Sequence, residues 1–440
     1  MYINRTIDKE LLSWKLADKR KPLLIRGARQ VGKTSSIKNL KQHFTYFVEI
    51  NFDENPSYAR IFEMGLSVEE VCEQLSVLTN TPIEGGRTLL FLAEIQNCIP
   101  AINMLRFFYE KMPELHVIAA GSLLEFALAE LPSFGVGRVR SMFMYPLSFR
   151  EFLEALGEHL ILEQLNKASI SKPLSEPVHH KLIRFYKLFT IIGGMPEAVF
   201  IYSTKKDLLE VQRVLNDLLI SIQADFTKYK KRISSARLLE VFNTVAQQTA
   251  TKFKFTYPNA TLNNAQIKET IELLKMAGLI YSVTHSSANG IPLGAEINSK
   301  KIKYLIFDTG IFQRLMGLNI SDFLLQDDFE TINKGHLAEL FVGLELIKAE
   351  SSYQKTELFY WQRDAKNSQA EVDFVCQINN TISPIEVKSG TKGSMQSLYL
   401  FLSEKRLKLG YRISLENFSA IESVNIIPIY ATHTLIKAIL

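Results

Sequence analysis

The sequence predicts an α/β protein whose first domain is a parallel sheet covered by helices on both faces. Two observations predict it. From residue 21 to about 145, short continuous apolar runs alternate with helix-patterned segments. The loop between the first apolar run and the first of those helices combines two glycines with a lysine and a hydroxyl residue. At 440 residues the chain exceeds what one hydrophobic core supports, so about two to four domains are expected.

The elements justify this in order. Ile7, Leu11, Leu12, Trp14 and Leu16 among charged neighbours suit a short amphipathic lead-in helix. Strands follow at Leu23–Ile25, Tyr46–Asn51, Thr88–Leu92, His116–Ala120 and Val139–Met144, with helices at Thr34–Leu40, Val68–Leu78, Ala101–Lys111 and Leu123–Ala129 between them. At Pro146 the texture changes. Ser148 and Glu151 form a capping box ahead of Phe149, Phe152 and Leu156. Helical patterns at 178–191 and 206–229 are broken by Gly193-Gly194-Met195-Pro196, so 146–232 reads as a helical lid. Helices near 236–250 and 263–277, a strand from Gly278 and a returning strand Ile302–Phe307 suit a winged-helix unit. A third fold starts near 331 with the helix Lys334–Ala349. Strands at Leu358–Trp361, Glu371–Gln377 and Ile382–Val387, a helix at 393–405 and strands at 411–415 and 424–430 complete it. The expected domains are therefore 1–145, 146–232, 233–325 and 326–440.

Composition narrows the class. The chain is 47% hydrophobic and 22% charged, ordinary for a globular protein. No apolar run approaches the roughly 20 residues that span a bilayer, and the first residues carry no signal-peptide core. The three cysteines, Cys72, Cys98 and Cys376, are scattered without metal spacing. They suit a reducing compartment, and the cytoplasm is the expected location, with no membrane partner. With 51 basic and 46 acidic residues the net charge is +5, a weak pull toward nucleic acid. The best local basic patch is Lys228-Tyr229-Lys230-Lys231-Arg232, whose alternative is a solvated helix end. In the second helix of the winged-helix unit only Lys268 and Lys275 are basic, so DNA docking and a packing module stand level.

Gly27-Ala28-Arg29-Gln30-Val31-Gly32-Lys33-Thr34, followed by Ser35, is a complete G-x-x-x-x-G-K-[ST] phosphate loop between a strand and a helix. Its backbone N–H groups would converge on phosphate oxygens at a helix N-terminus. Lys33 would reach the outer phosphates and Thr34 would bind Mg²⁺, which makes ATP and Mg²⁺ the expected cofactors. Such a loop needs a second strand ending in acid. Thr88–Gln96 occupies that place, with Glu94 as the carboxylate that orients the attacking water. Ala93 stands where a Mg²⁺-holding Asp belongs, and a methyl group cannot serve an octahedral cation. Nucleotide binding is expected to persist and hydrolysis to be weak. Ser122 reads as a γ-phosphate sensor or a helix N-cap. Arg138 reads as a phosphate-stabilising arginine, in its own or a neighbouring subunit, or as a surface ion pair.

The second chemical set is Glu371-Val-Asp373-Phe with Pro384-Ile-Glu386-Val-Lys388. Strand alternation puts Glu371 with Asp373, and Glu386 with Lys388, on shared faces. Asp373 and Glu386 could hold a Mg²⁺ or Mn²⁺, Lys388 could position or activate water, and Glu339 on the preceding helix adds a carboxylate. This is the pattern of a D…E-x-K nuclease core.

These residues together resemble the bacterial and archaeal AAA+-type P-loop ATPases with a C-terminal DUF4143 domain. The resemblance rests on RGARQVGKT, TLLFL-x-EIQ, AAGSLLEF, VGRVRSMFMYPLSFREFL, IIGGMPEAV, IFDTGI, KGHLAELFV, and EVDFV with IEVKSG. It implies an AAA+ ATPase domain, a helical lid, a winged-helix module and a restriction-endonuclease-like fold. Ala93 departs from it. The resulting expectation is an ATP-binding switch whose nucleotide state controls a nuclease-like, DNA-interacting C-terminal domain. The rival expectations are an ATP-regulated, metal-dependent DNA endonuclease and a non-catalytic nucleotide-dependent scaffold. Nucleotide is the expected partner; DNA and a second copy of the chain are candidates.

Overall fold

The computed structural model describes residues 2–131, 137–229, 233–256, 262–320, 334–365 and 370–437. Two compact units emerge. One comprises Met1–Tyr145 with 276–278 and 351–355, the other the remaining residues from Pro146 onward.

The first unit is built on β1 (Leu23–Arg26), β2 (Tyr46–Asn51), β3 (Thr88–Ala93), β4 (His116–Ala120) and β5 (Arg140–Phe143). They form a five-stranded sheet in the order β2-β3-β4-β1-β5, with every pairing parallel. The apolar runs are continuous because both faces are covered. Leu24, Val48, Ile50, Leu90, Leu92, Val117 and Ala119 pack against helices at Val68–Thr79 and Ile99–Lys111. On the other face Leu23, Ile25, Phe91 and Ile118 are equally buried. The lead-in helix runs Thr6–Leu16 and buries Ile7, Leu11 and Trp14.

His116, at the start of β4, is 3% exposed. It stands edge-on to the Phe44 ring at 4.7 Å and to Trp14 at 5.6 Å. Burial lowers its pKa to about 4, so the folded protein holds it neutral where the unfolded chain protonates it. Stability from this group is complete above about pH 6.5 and is lost as pH falls toward 4, by up to about 3 kcal/mol. Melting temperature between pH 7 and 4.5 should fall less steeply in His116→Gln than in the wild type. Parallel curves would exclude His116 as the source.

In the second unit the helices Phe149–Ala155, His159–Lys167, Glu176–Ile192, Pro196–Lys205 and Leu208–Tyr229 fill the segment expected as a lid. The capping box forms as read: Ser148 N donates to Glu151 Oε2 at 2.8 Å, and Glu151 N to Ser148 Oγ at 3.2 Å. Phe149, Phe152 and Phe189 cluster with Phe341 of the helix Lys334–Ala349. Asp308 joins two of the sequence motifs. Its carboxylate accepts from Gly194 N at 2.6 Å and from Ile311 N at 3.0 Å, capping the helix Thr309–Leu315. Gly194 and Gly310 leave no room for a side chain: a Cβ would lie 2.3 Å from Leu147 O and 2.4 Å from Ile192 O respectively.

The helices Ser235–Gln247 and Asn264–Met276 precede a hairpin of β6 (Ile280–Ser286) and β7 (Ile297–Ile306). Two helices and a hairpin fill the segment expected as a winged helix, but the hairpin does not stand alone. With β8 (Leu358–Gln362), β9 (Glu371–Ile378), β10 (Thr381–Val387), β11 (Gly410–Ser414), β12 (Ser419–Ile421) and β13 (Val424–Pro428) it forms one eight-stranded mixed sheet, ordered β12-β13-β11-β10-β9-β8-β6-β7. The join is a parallel pairing of β6 with β8, Val283 opposite Leu358. No described helix is long and apolar enough to cross a membrane.

Candidate functional site

Because the first sheet is parallel, β1, β3 and β4 end along one edge, which is where open α/β sheets bind ligands. β1 opens into the glycine loop, β3 ends at Ala93 before Glu94, and β4 ends two residues before Ser122. The loop turns through left-handed conformations at Gly27 (φ +144°), Gln30 (φ +62°) and Gly32 (φ +100°). At Gly27 a Cβ would lie 2.1 Å from Met144 O, so a side chain is excluded by backbone as well as by φ. Gly32 then caps the helix Lys33–Leu40.

Lys33 is 7% exposed. Its ammonium folds back on the loop, donating to Gly27 O at 2.9 Å and Ala28 O at 2.7 Å. Burial lowers its pKa to about 8, against the opposing charge of Glu94. Thr34 and Ser35 are exposed in the first helical turn, Ala28 and Val31 are buried, Arg29 is half-buried and Gln30 is exposed. Arg5, which sequence reasoning missed, holds the loop from behind: it donates to Val31 O at 2.8 Å and to Tyr145 O at 2.7 Å. An arginine just ahead of an amphipathic helix carries no signal of that role.

Glu94 sits at φ +49°. Its Oε2 accepts from Gln96 Nε2 at 2.6 Å, Ser122 Oγ at 3.0 Å and Ser122 N at 3.2 Å. Ser122 is thus tied to the acid and does not cap the following helix, which starts at Leu124 without a side-chain cap. Ala93 is 4% exposed, between Asn51 and Ala120 in the neighbouring strands. A Mg²⁺ ion held by the Thr34 hydroxyl would find no side-chain oxygen at Ala93. Arg138 is exposed and pairs with Glu110 at 2.8 Å.

The second set also comes together. Glu339 comes from the helix Lys334–Ala349, Glu371 and Asp373 from β9, and Glu386 from β10 with Lys388 just beyond it. Val372 and Phe374 point into the core as alternation requires. Asp373 Oδ2 accepts from Val387 N at 2.7 Å, and Lys388 Nζ donates to Glu386 Oε1 at 2.7 Å. One residue was not foreseen. Lys303 of β7 is 1% exposed and places its ammonium 2.7 Å from Glu339 Oε1 and 2.6 Å from Glu371 Oε1. A lone lysine in the apolar run Ile302–Ile306 was the available signal.

Burial works against the charge of Lys303, but Glu339, Asp373 and Glu371 outweigh it and raise its pKa. Burial pushes Glu339 up to about 8, with Lys303 pulling the other way. Glu386 is pushed up to about 7 by burial and by Asp373, and Asp373 is raised by burial. Burial and the charge of Asp373 thus favour the protonated forms of Glu339 and Glu386. Glu386 Oε2 and the Tyr360 hydroxyl are buried without a hydrogen-bond partner. Among the described residues no group of three or more His, Cys, Asp or Glu side chains is arranged to hold a metal ion.

The basic residues weighed for DNA contact are partly engaged. Lys275 bonds Glu272 at 2.9 Å, Lys228 pairs with Asp225 at 3.2 Å, and Lys268 lies over the Phe255 ring. Lys230, Lys231 and Arg232 lie outside the described residues.

Residues 19–153 match the family model of an AAA domain, and residues 334–432 match that of DUF4143, a domain of unknown function. The chain joins an AAA domain to a DUF4143 domain. Between them, residues 183–322 match a further domain of unknown function, DUF8612. The AAA domain is a nucleotide-binding ATPase domain, with nucleotide and Mg²⁺ as the ligands its family uses. No curated protein matches the chain. Among solved structures, PCH-2 of C. elegans is 16% identical, over 47% of this chain and 64% of its own, with a TM-score of 0.29. ORC1 of Aeropyrum pernix, solved in complex with DNA, is 12% identical, over 72% of this chain and 92% of its own, with a TM-score of 0.28. CDC6P of Pyrobaculum aerophilum is 10% identical, over 72% and 96%, with a TM-score of 0.25. Likeness at that level bears on neither the fold nor the function of this chain.

Proposed function

We propose that the protein is an ATP-binding switch whose nucleotide state controls its nuclease-like C-terminal domain, and that DNA is the partner class of that domain. One observation carries the reading. The phosphate loop presents Lys33, Thr34 and Ser35 around a helix N-terminus, while the position that would complete the Mg²⁺ site is the methyl group of Ala93. Nucleotide binds through backbone donors and Lys33, with phosphate oxygens replacing the carbonyls of Gly27 and Ala28 as the ammonium's partners. Gly27, Ala28, Arg29, Gln30, Val31, Gly32 and Ser35 form the cradle, Thr34 serves the metal, Glu94 orients water and Ser122 reports the γ-phosphate through Glu94. Turnover is slow, so the bound state persists. A switch needs persistence more than speed.

A second reading, the non-catalytic regulator, is favoured by Lys303, whose ammonium already pairs with Glu339, one of the carboxylates that a nuclease would use for metal. Both readings share one test. Amide exchange of β9 and β10 is followed in the full chain with and without ATP and Mg²⁺, and again with duplex DNA added. ATP should change protection there in the wild type and leave Lys33→Ala unaltered. Identical exchange in both nucleotide states of the wild type would end the switch.

A further inference from the structure

We propose that Lys303 is the resident cation of the C-terminal carboxylate cluster and that it keeps divalent metal out. The proposal does not depend on nucleotide binding. Divalent cations of the Mg²⁺ or Mn²⁺ kind need several free oxygen ligands converging at short range. Here each of the four carboxylates has one oxygen committed. Glu339 Oε1 and Glu371 Oε1 lie 2.7 Å and 2.6 Å from the Lys303 ammonium. Asp373 Oδ2 holds the Val387 amide at 2.7 Å, and Glu386 Oε1 holds Lys388 at 2.7 Å. Lys303 thus occupies two of the four carboxylates, and among the described residues no group of three or more His, Cys, Asp or Glu side chains is arranged to hold a metal ion.

Charge points the same way. Lys303 is 1% exposed and its ammonium also lies 5.0 Å from the centre of the Tyr360 ring, which favours a cation on its face. A second cation of double charge brought beside a sealed ammonium would meet repulsion with little water to screen it. The lysine reaches the cluster from β7, outside residues 334–432 that match DUF4143. The cation is therefore contributed by the preceding hairpin and sits on Glu339 and Glu371, beside a D…E-x-K set that is complete in sequence.

Mn²⁺ titration of the nucleotide-free full chain, read by the electron paramagnetic resonance of free Mn²⁺, tests this. The wild type should bind no Mn²⁺ at the cluster up to millimolar concentration. Lys303→Gln should gain one site, at least 30-fold tighter, that disappears in Lys303→Gln/Asp373→Asn. Wild-type binding that Asp373→Asn removes would overturn the proposal. So would a folded Lys303→Gln that binds no Mn²⁺. If Lys303→Gln is unfolded by circular dichroism, Mn²⁺ should restore its fold, and failure to do so counts equally against it.

Discussion

Lys33→Ala should abolish most of the rise in melting temperature expected of the wild type with ATP. At an ATP concentration of about 100 times Kd, linkage stabilises the nucleotide-binding form by about 2.7 kcal/mol. The variant, with affinity reduced by about two orders of magnitude, should retain only about 0.4 kcal/mol. The nucleotide-free proteins should melt alike. Removing the ammonium loses its two bonds to Gly27 and Ala28, but it also relieves the cost of burying that charge. Differential scanning fluorimetry with and without ATP and Mg²⁺ reads both effects. An equal shift in wild type and variant would show that the nucleotide sits elsewhere.

Ala93→Asp should raise ATP turnover several-fold. The side chain at this position projects from the last residue of β3, next to Glu94, with Ala120 and Asn51 alongside. A carboxylate placed there would supply the missing acceptor for Mg²⁺ and its water. It would also be a buried charge without a partner in the nucleotide-free protein, which costs several kcal/mol by the usual penalty for burying ions. The variant should therefore melt lower than the wild type without ligand and gain more from ATP and Mg²⁺. Phosphate release at saturating ATP measures the first effect and melting the second. Turnover unchanged from the wild type would mean that another ligand already holds the metal.

The first sheet was legible because its strands are buried on both faces. Continuous apolar runs such as Thr88–Leu92 and His116–Ala120 have no other stable solution between helical segments, and the observed strands end within a residue or two of the expected ones. The phosphate loop was legible because its glycines answer local demands, left-handed turns and the Met144 carbonyl, that any sequence at that place must meet. Long-range geometry was not. Nothing near Val283 or Leu358 announces that they pair across more than seventy residues, since an edge strand that accepts a parallel neighbour looks like one that does not. The N-cap alternative for Ser122 could be dismissed only once its hydroxyl was seen on Glu94. The role of Lys303 was hidden for the same reason as the β6–β8 pairing. Its partners lie thirty-six and sixty-eight positions away, and a lysine among apolar strand residues reads locally as an exposed edge.

The β6–β8 pairing limits how this chain can be divided, in the laboratory or by recombination. A fragment cut at residue 326 or 334 would keep Glu339, Glu371, Asp373 and Glu386 and lose Lys303. It would also bare the edge of β8 along Leu358–Tyr360, where β6 now pairs, and such an edge recruits strands from other molecules. Crossed with a relative at that boundary, the cluster would inherit acids from one parent and its neutralising charge from the other. The hairpin and the sheet it completes form one heritable unit, whatever borders their families are given.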